Sequence, residues 1–158
     1  PDEEVRAACR AQSHITHNNS LSDAATEFMV LAVQDALRGA SLRDLLRRRI
    51  QPLIKDYPEF DYRRKSQENP SGYIVDTMRA VLQALMRTDS FESCLVDVVN
   101  RGGDADTTGA IVGMLAGALY GRGALPTRWL EALDGETRQL CARQARDLIE
   151  LSRRPVPV

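Results

Sequence analysis

Apolar residues in this chain recur three and four positions apart, the spacing of one helix face, and never in sustained alternation. Phe91, Cys94, Leu95, Val98 and Val99 follow that spacing, as do Ile74, Val75, Met78, Val81, Leu82 and Leu85. Polar residues, glycine and proline set the predicted ends. A first helix runs from about Asp2 to His14, with Pro1 at its first position and acids facing the positive end of the dipole. A second runs from Ser22 to Arg38 and stops at Gly39. A third spans Ser41 to Ile54, opened by Ser41 and Asp44 at capping-box spacing with Asp in place of Glu. Residues 56–71 carry Pro58, Pro70 and many charges and read as an irregular loop. Gly72 or Tyr73 opens a strongly apolar helix to Arg87, and Asp89 or Ser90 caps the next one. A helix begins at Thr107 or Thr108 and ends at Gly121, Pro126 starts a short helix carrying Trp129, and Glu136 to Leu151 forms the last. No strand and no repeat is convincing. The predicted fold class is all-α, one domain over residues 1–152 with a frayed tail at 153–158.

The helix from Thr107 is unusual in composition. Gly109, Ala110, Gly113, Ala116, Gly117 and Ala118 crowd into it. Each interior glycine costs about 1 kcal/mol relative to alanine, which is tolerable where neighbouring helices must approach closely. This helix is therefore expected at the centre of the domain.

Composition narrows the function classes. With 158 residues, 43% of them hydrophobic and 27% charged, the chain can bury a real core. A net charge of −1 gives no global electrostatic case for nucleic acid or membranes. The run Ala110 to Tyr120 is too short to span a bilayer. Arg47-Arg48-Arg49 and Arg63-Arg64-Lys65 read as solvated surface. Cys9, Cys94 and Cys141 are odd in number and far apart, so they read as buried unpaired hydrophobes in a reducing, cytoplasmic setting. His14 and His17 are the only histidines, and no zinc spacing exists.

The candidate chemistry lies in Asn100-Arg-Gly-Gly-Asp104-Ala-Asp106-Thr107-Thr-Gly-Ala110. Gly102 and Gly103 permit backbone angles closed to other residues. Asp104, Asp106 and the Thr107 hydroxyl are hard oxygen donors, the kind magnesium, manganese and calcium prefer. Asp and Thr are also common helix caps, and capping alone is the plainer reading. Capping needs only one side chain, however, and crowded carboxylates repel until a cation relieves them. The string Asp104-x-Asp106-x-Thr108 also fits a phosphatase nucleophile motif. That motif follows a buried strand, whereas residues 91–99 are helical in spacing, so that reading is rejected.

Two further segments accompany the acidic turn: Ile15-Thr16-His17-Asn18-Asn19, followed by Ser22-Asp23-Ala24-Ala25, and Ser71-Gly72-Tyr73-Ile74-Val75-Asp76-Thr77. Together the three segments resemble motifs of the ADP-ribosylglycohydrolases. The resemblance implies an all-helical, orthogonal multi-helix bundle with two manganese or magnesium ions. It implies hydrolysis of the bond between ADP-ribose and a protein arginine, with nitrogenase iron protein as substrate and partner. Asp104, Asp106 and Thr107 match the metal-ligand positions. Gly72, Tyr73, Gly103, His17 and Asn19 match positions around the ligand. Two departures stand out. Asn19 replaces a histidine of the usual segment and cannot carry a proton near neutral pH. The acidic cluster expected from an N-terminal half is missing. The chain therefore reads as the C-terminal half, holding half of the metal site and pairing with its own N-terminal half. An inactive module binding ADP-ribose or a partner is the alternative, and a purely structural helical domain a third.

Overall fold

The computed structural model describes residues 2–153. Pro1, expected to open the first helix, and the tail from Arg154 lie outside the described residues. Every regular element among the described residues is helical. The chain divides into two compact units, one ending at Ala124 and the other starting at Leu125.

In the first unit, α1 (Asp2–Ser13) lies against α2 (Ser20–Leu37). Glu27 of α2 is buried and accepts from both Arg6 and Arg10 of α1, at 2.6 and 2.7 Å, so the pair is clamped by charge. α2 starts two residues earlier than its composition suggests because Asn19, not Ser22, is the cap: its Oδ1 accepts from the Ser22 N–H at 2.9 Å.

α3 (Leu42–Leu45) opens with the expected reciprocal capping box of Ser41 and Asp44. A π-helical turn, Leu46–Ile50, then leads into α4 (Gln51–Asp56). Pro52 accounts for the interruption. It has no N–H to give Arg48, and the Gln51 N–H reaches back five residues to Leu46. The expectation of three solvated arginines at 47–49 fails at Arg49. Its side chain is 15% exposed and pairs with Asp35 and Asp2, which raises the already high guanidinium pKa. Pairing across elements is invisible to a reading of local charge runs.

α5 (Ile74–Arg87), α6 (Phe91–Val99) and α7 (Ala105–Tyr120) build the core with α2. Val75, Met78, Val81, Leu82 and Leu85 of α5 are buried, each apolar side chain contributing roughly 1.5–3 kcal/mol. Ser90 caps α6 through a box with Ser93. The small-residue face of α7 meets α6 as expected. A Cβ at Gly109 would come within 3.2 Å of Val99, and Cβ atoms at Gly113 and Gly117 would touch Leu95 and Phe91 at 3.9 Å. Larger residues there would force the helices apart.

α7 does not begin at Thr107 or Thr108. It begins at Ala105 with Asp104 in the N-cap position. Thr108 is fully buried, and both its N–H and its hydroxyl donate to the Asp104 carbonyl. A threonine that bonds back to the carbonyl four residues earlier belongs inside a helix, not at its cap.

The second unit contains α8 (Thr127–Ala132), with Pro126 in the N-cap position, and α9 (Gly135–Arg153). Cys141 on α9 is exposed, contrary to expectation, whereas Cys9 and Cys94 are buried as expected. Burial pushes the Cys94 thiol up to about 11 and raises that of Cys9. Thiolate, not thiol, reacts, and its fraction falls tenfold per pKa unit. At pH 8 a disulfide-exchange reagent is therefore expected to modify the exposed Cys141 much faster than the buried Cys94. The time course should show one fast thiol, which Cys141→Ser removes; a fast phase surviving that substitution would contradict the burial of the others. Among the described residues, no helix is long and apolar enough to cross a membrane.

Candidate metal and ligand site

The acidic turn is shaped by its backbone. Gly102 and Gly103 both adopt left-handed angles, with φ of 75° and 63°. They carry the chain off the end of α6 and turn it against residues 69–72, the segment preceding α5. The Asn69 N–H donates to the Arg101 carbonyl and the Asp104 N–H to the Pro70 carbonyl, both at 2.8 Å. The approach is too close for a side chain at Gly103, where a Cβ would lie 2.2 Å from the Pro70 oxygen. Gly72 lies beside the same turn, where a Cβ built on it would sit 3.4 Å from Asp104 Oδ2, in van der Waals contact.

Asp104 occupies the N-cap position of α7, yet its side chain makes no capping hydrogen bond. Its carboxyl instead meets that of Asp106. A hydrogen bond with Asp104, then backbone N–H groups of Thr107 and of Asp106 itself, hold the Asp106 carboxyl below the usual carboxylate range. Two carboxyls sharing a hydrogen bond at a helix N-terminus repel once both are ionised, and a divalent cation can replace the proton between them. Thr107 follows as an exposed residue in the first turn. These three hard oxygen donors fit one side of a divalent cation's coordination sphere, short of the six ligands that magnesium or manganese takes. Among the described residues, no third Asp, Glu, His or Cys joins the pair.

Tyr73 is 56% exposed at the foot of α5, so its ring is not part of the core. Its N–H donates to Ser71 Oγ at 3.1 Å, Ser71 Oγ donates to Asp76 at 2.9 Å, and the buried Thr77 hydroxyl holds the Ser71 carbonyl at 3.1 Å. The ring is thus presented by a braced turn beside the Asp104 carboxyl.

His17 and Asn19 make local hydrogen bonds, to the end of α1 and the start of α2. The His17 N–H donates to the Ser13 carbonyl at 2.8 Å, and His17 Nδ1 lies 2.9 Å from the Thr16 hydroxyl. The Asn19 carbonyl oxygen is engaged by its capping bond, which leaves the amide NH2 for other partners. Both residues are exposed. The structure thus joins Gly72, Gly103, Asp104 and Asp106 directly, with Tyr73 adjoining, and keeps His17 and Asn19 on a separate segment.

Sequence reasoning missed Asn69 and the Pro70 carbonyl, against which the acidic turn is built. The Asn-Pro pair before Ser-Gly was the available signal, because such a pair marks a turn. Asn69 itself has φ of 46°.

The family model described as ADP-ribosylglycohydrolase matches residues 1–156. The ADP-ribosyl-(dinitrogen reductase) glycohydrolase of Rhodospirillum rubrum is 42% identical over 142 residues, covering 90% of this chain and 48% of that protein. The ADP-ribosylarginine hydrolase Tri1 of Pseudomonas putida is 32% identical over 125 residues, covering 76% of this chain and 34% of the relative. A solved structure described as an ADP-ribosylglycohydrolase-related protein complex superposes with a TM-score of 0.74 at 37% identity, over 83% of this chain and 48% of that one. The chain thus spans about half or less of the length of the relatives it matches.

Proposed function

The chain belongs to the ADP-ribosylglycohydrolase family, and on that premise we propose that it contributes one side of a metal-dependent site releasing ADP-ribose from a protein arginine. The observation that carries the proposal is the paired carboxyls of Asp104 and Asp106, with the Asp104 side chain making no capping bond and lying beside Gly72. Asp104, Asp106 and the Thr107 hydroxyl would hold manganese or magnesium, in a centre of two such ions completed by ligands from outside this chain. When bound, the cations supply Lewis acidity and acidify water. Tyr73 offers a ring face to the ADP-ribose, and Gly72 and Gly103 let the ligand approach the backbone. The N-terminus of α7 favours the anionic part of the ligand. His17 and the Asn19 amide donate hydrogen bonds to it from the segment before α2. Asn19 cannot carry a proton, and a carboxylate takes the proton of the attacking water. The substrate proposed from the Rhodospirillum rubrum relative is ADP-ribosylated dinitrogen reductase, which would place the chain in the control of nitrogen fixation. The buried free thiols of Cys9 and Cys94 suit a cytoplasmic setting.

One observation favours a second reading: the carboxylate pair has no third acidic partner among the described residues. On that reading the domain binds ADP-ribose or a partner without turnover.

The deciding assay measures release of ADP-ribose from an ADP-ribosylated arginine protein, with and without manganese. It compares the 158-residue chain alone with the chain plus the remaining half of the Rhodospirillum rubrum relative. Manganese-dependent release is expected from the pair and little or none from the chain alone. Robust release by the chain alone would overturn the half-site, and none from either sample would favour the binding module.

A further inference from the structure

Directly behind the acidic turn lies a polar cluster that capping and metal binding leave unexplained. Arg101 is a charged residue only 6% exposed. Its guanidinium donates twice to Asp97 Oδ2, at 3.0 and 2.5 Å, and once each to Gln83 Oε1 at 2.6 Å and the Gln67 carbonyl at 3.4 Å. Gln83 is fully buried on the largely apolar inner side of α5. Its amide NH2 donates to the carbonyls of Tyr62, Arg64 and Lys65 at 3.2, 3.3 and 3.1 Å, and its Oε1 also accepts from the Gln67 N–H at 2.9 Å.

Burying an amide and a guanidinium is costly unless every polar group is satisfied, and well-packed apolar residues often serve stability as well or better. What an apolar pair cannot do is grip backbone carbonyls. Gln83 grips the loop at 62–67 and, through Arg101, joins it to the acidic turn. The loop continues into Asn69 and Pro70, whose N–H and carbonyl pair with Arg101 and Asp104. We propose that Gln83 and Arg101 are positioning residues that hold the two turns in register and so set the Asp104 carboxyl against Gly72. The purpose of that register rests on the functional reading above; the register itself does not.

The test is amide hydrogen exchange on the metal-free 158-residue chain, followed by manganese titration of the same samples. In Gln83→Leu and Arg101→Met, the Asn69 and Asp104 amides are expected to exchange at least about 10-fold faster while that of Leu115, inside α7, keeps its rate. Arg101→Lys keeps the charge beside Asp97 but loses the fork, so the same pattern appears at smaller amplitude. It serves if the methionine variant does not fold. Glu27→Gln, which cuts the clamp between α1 and α2, should leave both reporter amides unchanged. Manganese affinity is expected to fall about 10-fold in the positioning variants, the lower end for residues supporting metal ligands. Wild-type exchange at Asn69 and Asp104, or acceleration in step with Leu115, would overturn the proposal. Selective acceleration in a chain that binds no manganese would uphold the register and remove the metal reading instead.

Discussion

Gly103→Ala is expected to lower stability by about 3 kcal/mol, the sum of left-handed strain and a clash with backbone. The residue sits at φ of 63°, and the added Cβ would lie 2.2 Å from the Pro70 oxygen. No side-chain rotation relieves a contact between a Cβ and a main-chain carbonyl. The two turns must part, and the hydrogen bond from Asp104 N–H to Pro70 goes with them. For a chain of this size the loss corresponds to roughly 6–12 °C in thermal midpoint. Gly39→Ala is the matched control. Gly39 has φ of 90° with nothing within 4 Å of the new Cβ, so it carries strain alone, about 1–2 kcal/mol. Circular dichroism melts of the two variants check the difference. Equal midpoints would mean that the turns do not touch as described.

Asp104→Asn is expected to act in the opposite sense, removing function while sparing the fold. The structural bonds of Asp104 run through its backbone, from its N–H to Pro70 and to its carbonyl from Thr108. Its side chain makes no capping bond. Asparagine preserves the shape and removes the charge, which also relieves repulsion with Asp106. The melting midpoint should therefore stay within about 2–4 °C of wild type, the span of 1 kcal/mol. Manganese affinity should fall by at least about 100-fold, beyond the 10–100-fold typical of losing a group that merely supports a ligand. Titration calorimetry or the electron paramagnetic resonance of free manganese measures it. Unchanged affinity would return the acidic turn to the status of an ordinary helix start.

The contrast between these substitutions follows what could be read at each level. Asp104, Asp106 and Thr107 were legible as candidate donors because the chemistry of such oxygens is carried by residue type and by spacing within one turn. The glycine before them was legible as a hinge, but not as the floor of a contact with Pro70. Thr108 misled for a local reason: a hydroxyl serves equally at a helix cap or bonded back inside the first turn, and only burial distinguishes the two. Cys141 misled because residue type and spacing say nothing of what covers a thiol. Gln83 was unreadable, since a lone polar residue on an apolar face gives no hint of the carbonyls it will meet.

What the sequence by itself determined is whatever depends on neighbours within about one helical turn. That includes the all-helical class, the capping box of Ser41, a cap at Asp89 or Ser90, the stop at Gly121 and the small-residue face of α7. Helical periodicity and capping are interactions between residues three to five positions apart, so the sequence holds both partners in view. Tertiary structure alone decided which distant segments meet: Glu27 with α1, Arg49 with Asp35, Gln83 with the 62–67 loop, and Asn69 and Pro70 with the acidic turn. Those contacts join residues separated by more than ten positions, where no period operates. Their geometry is set by how the helices pack around α5 and α7, and that packing brings the Asp104 carboxyl to Gly72.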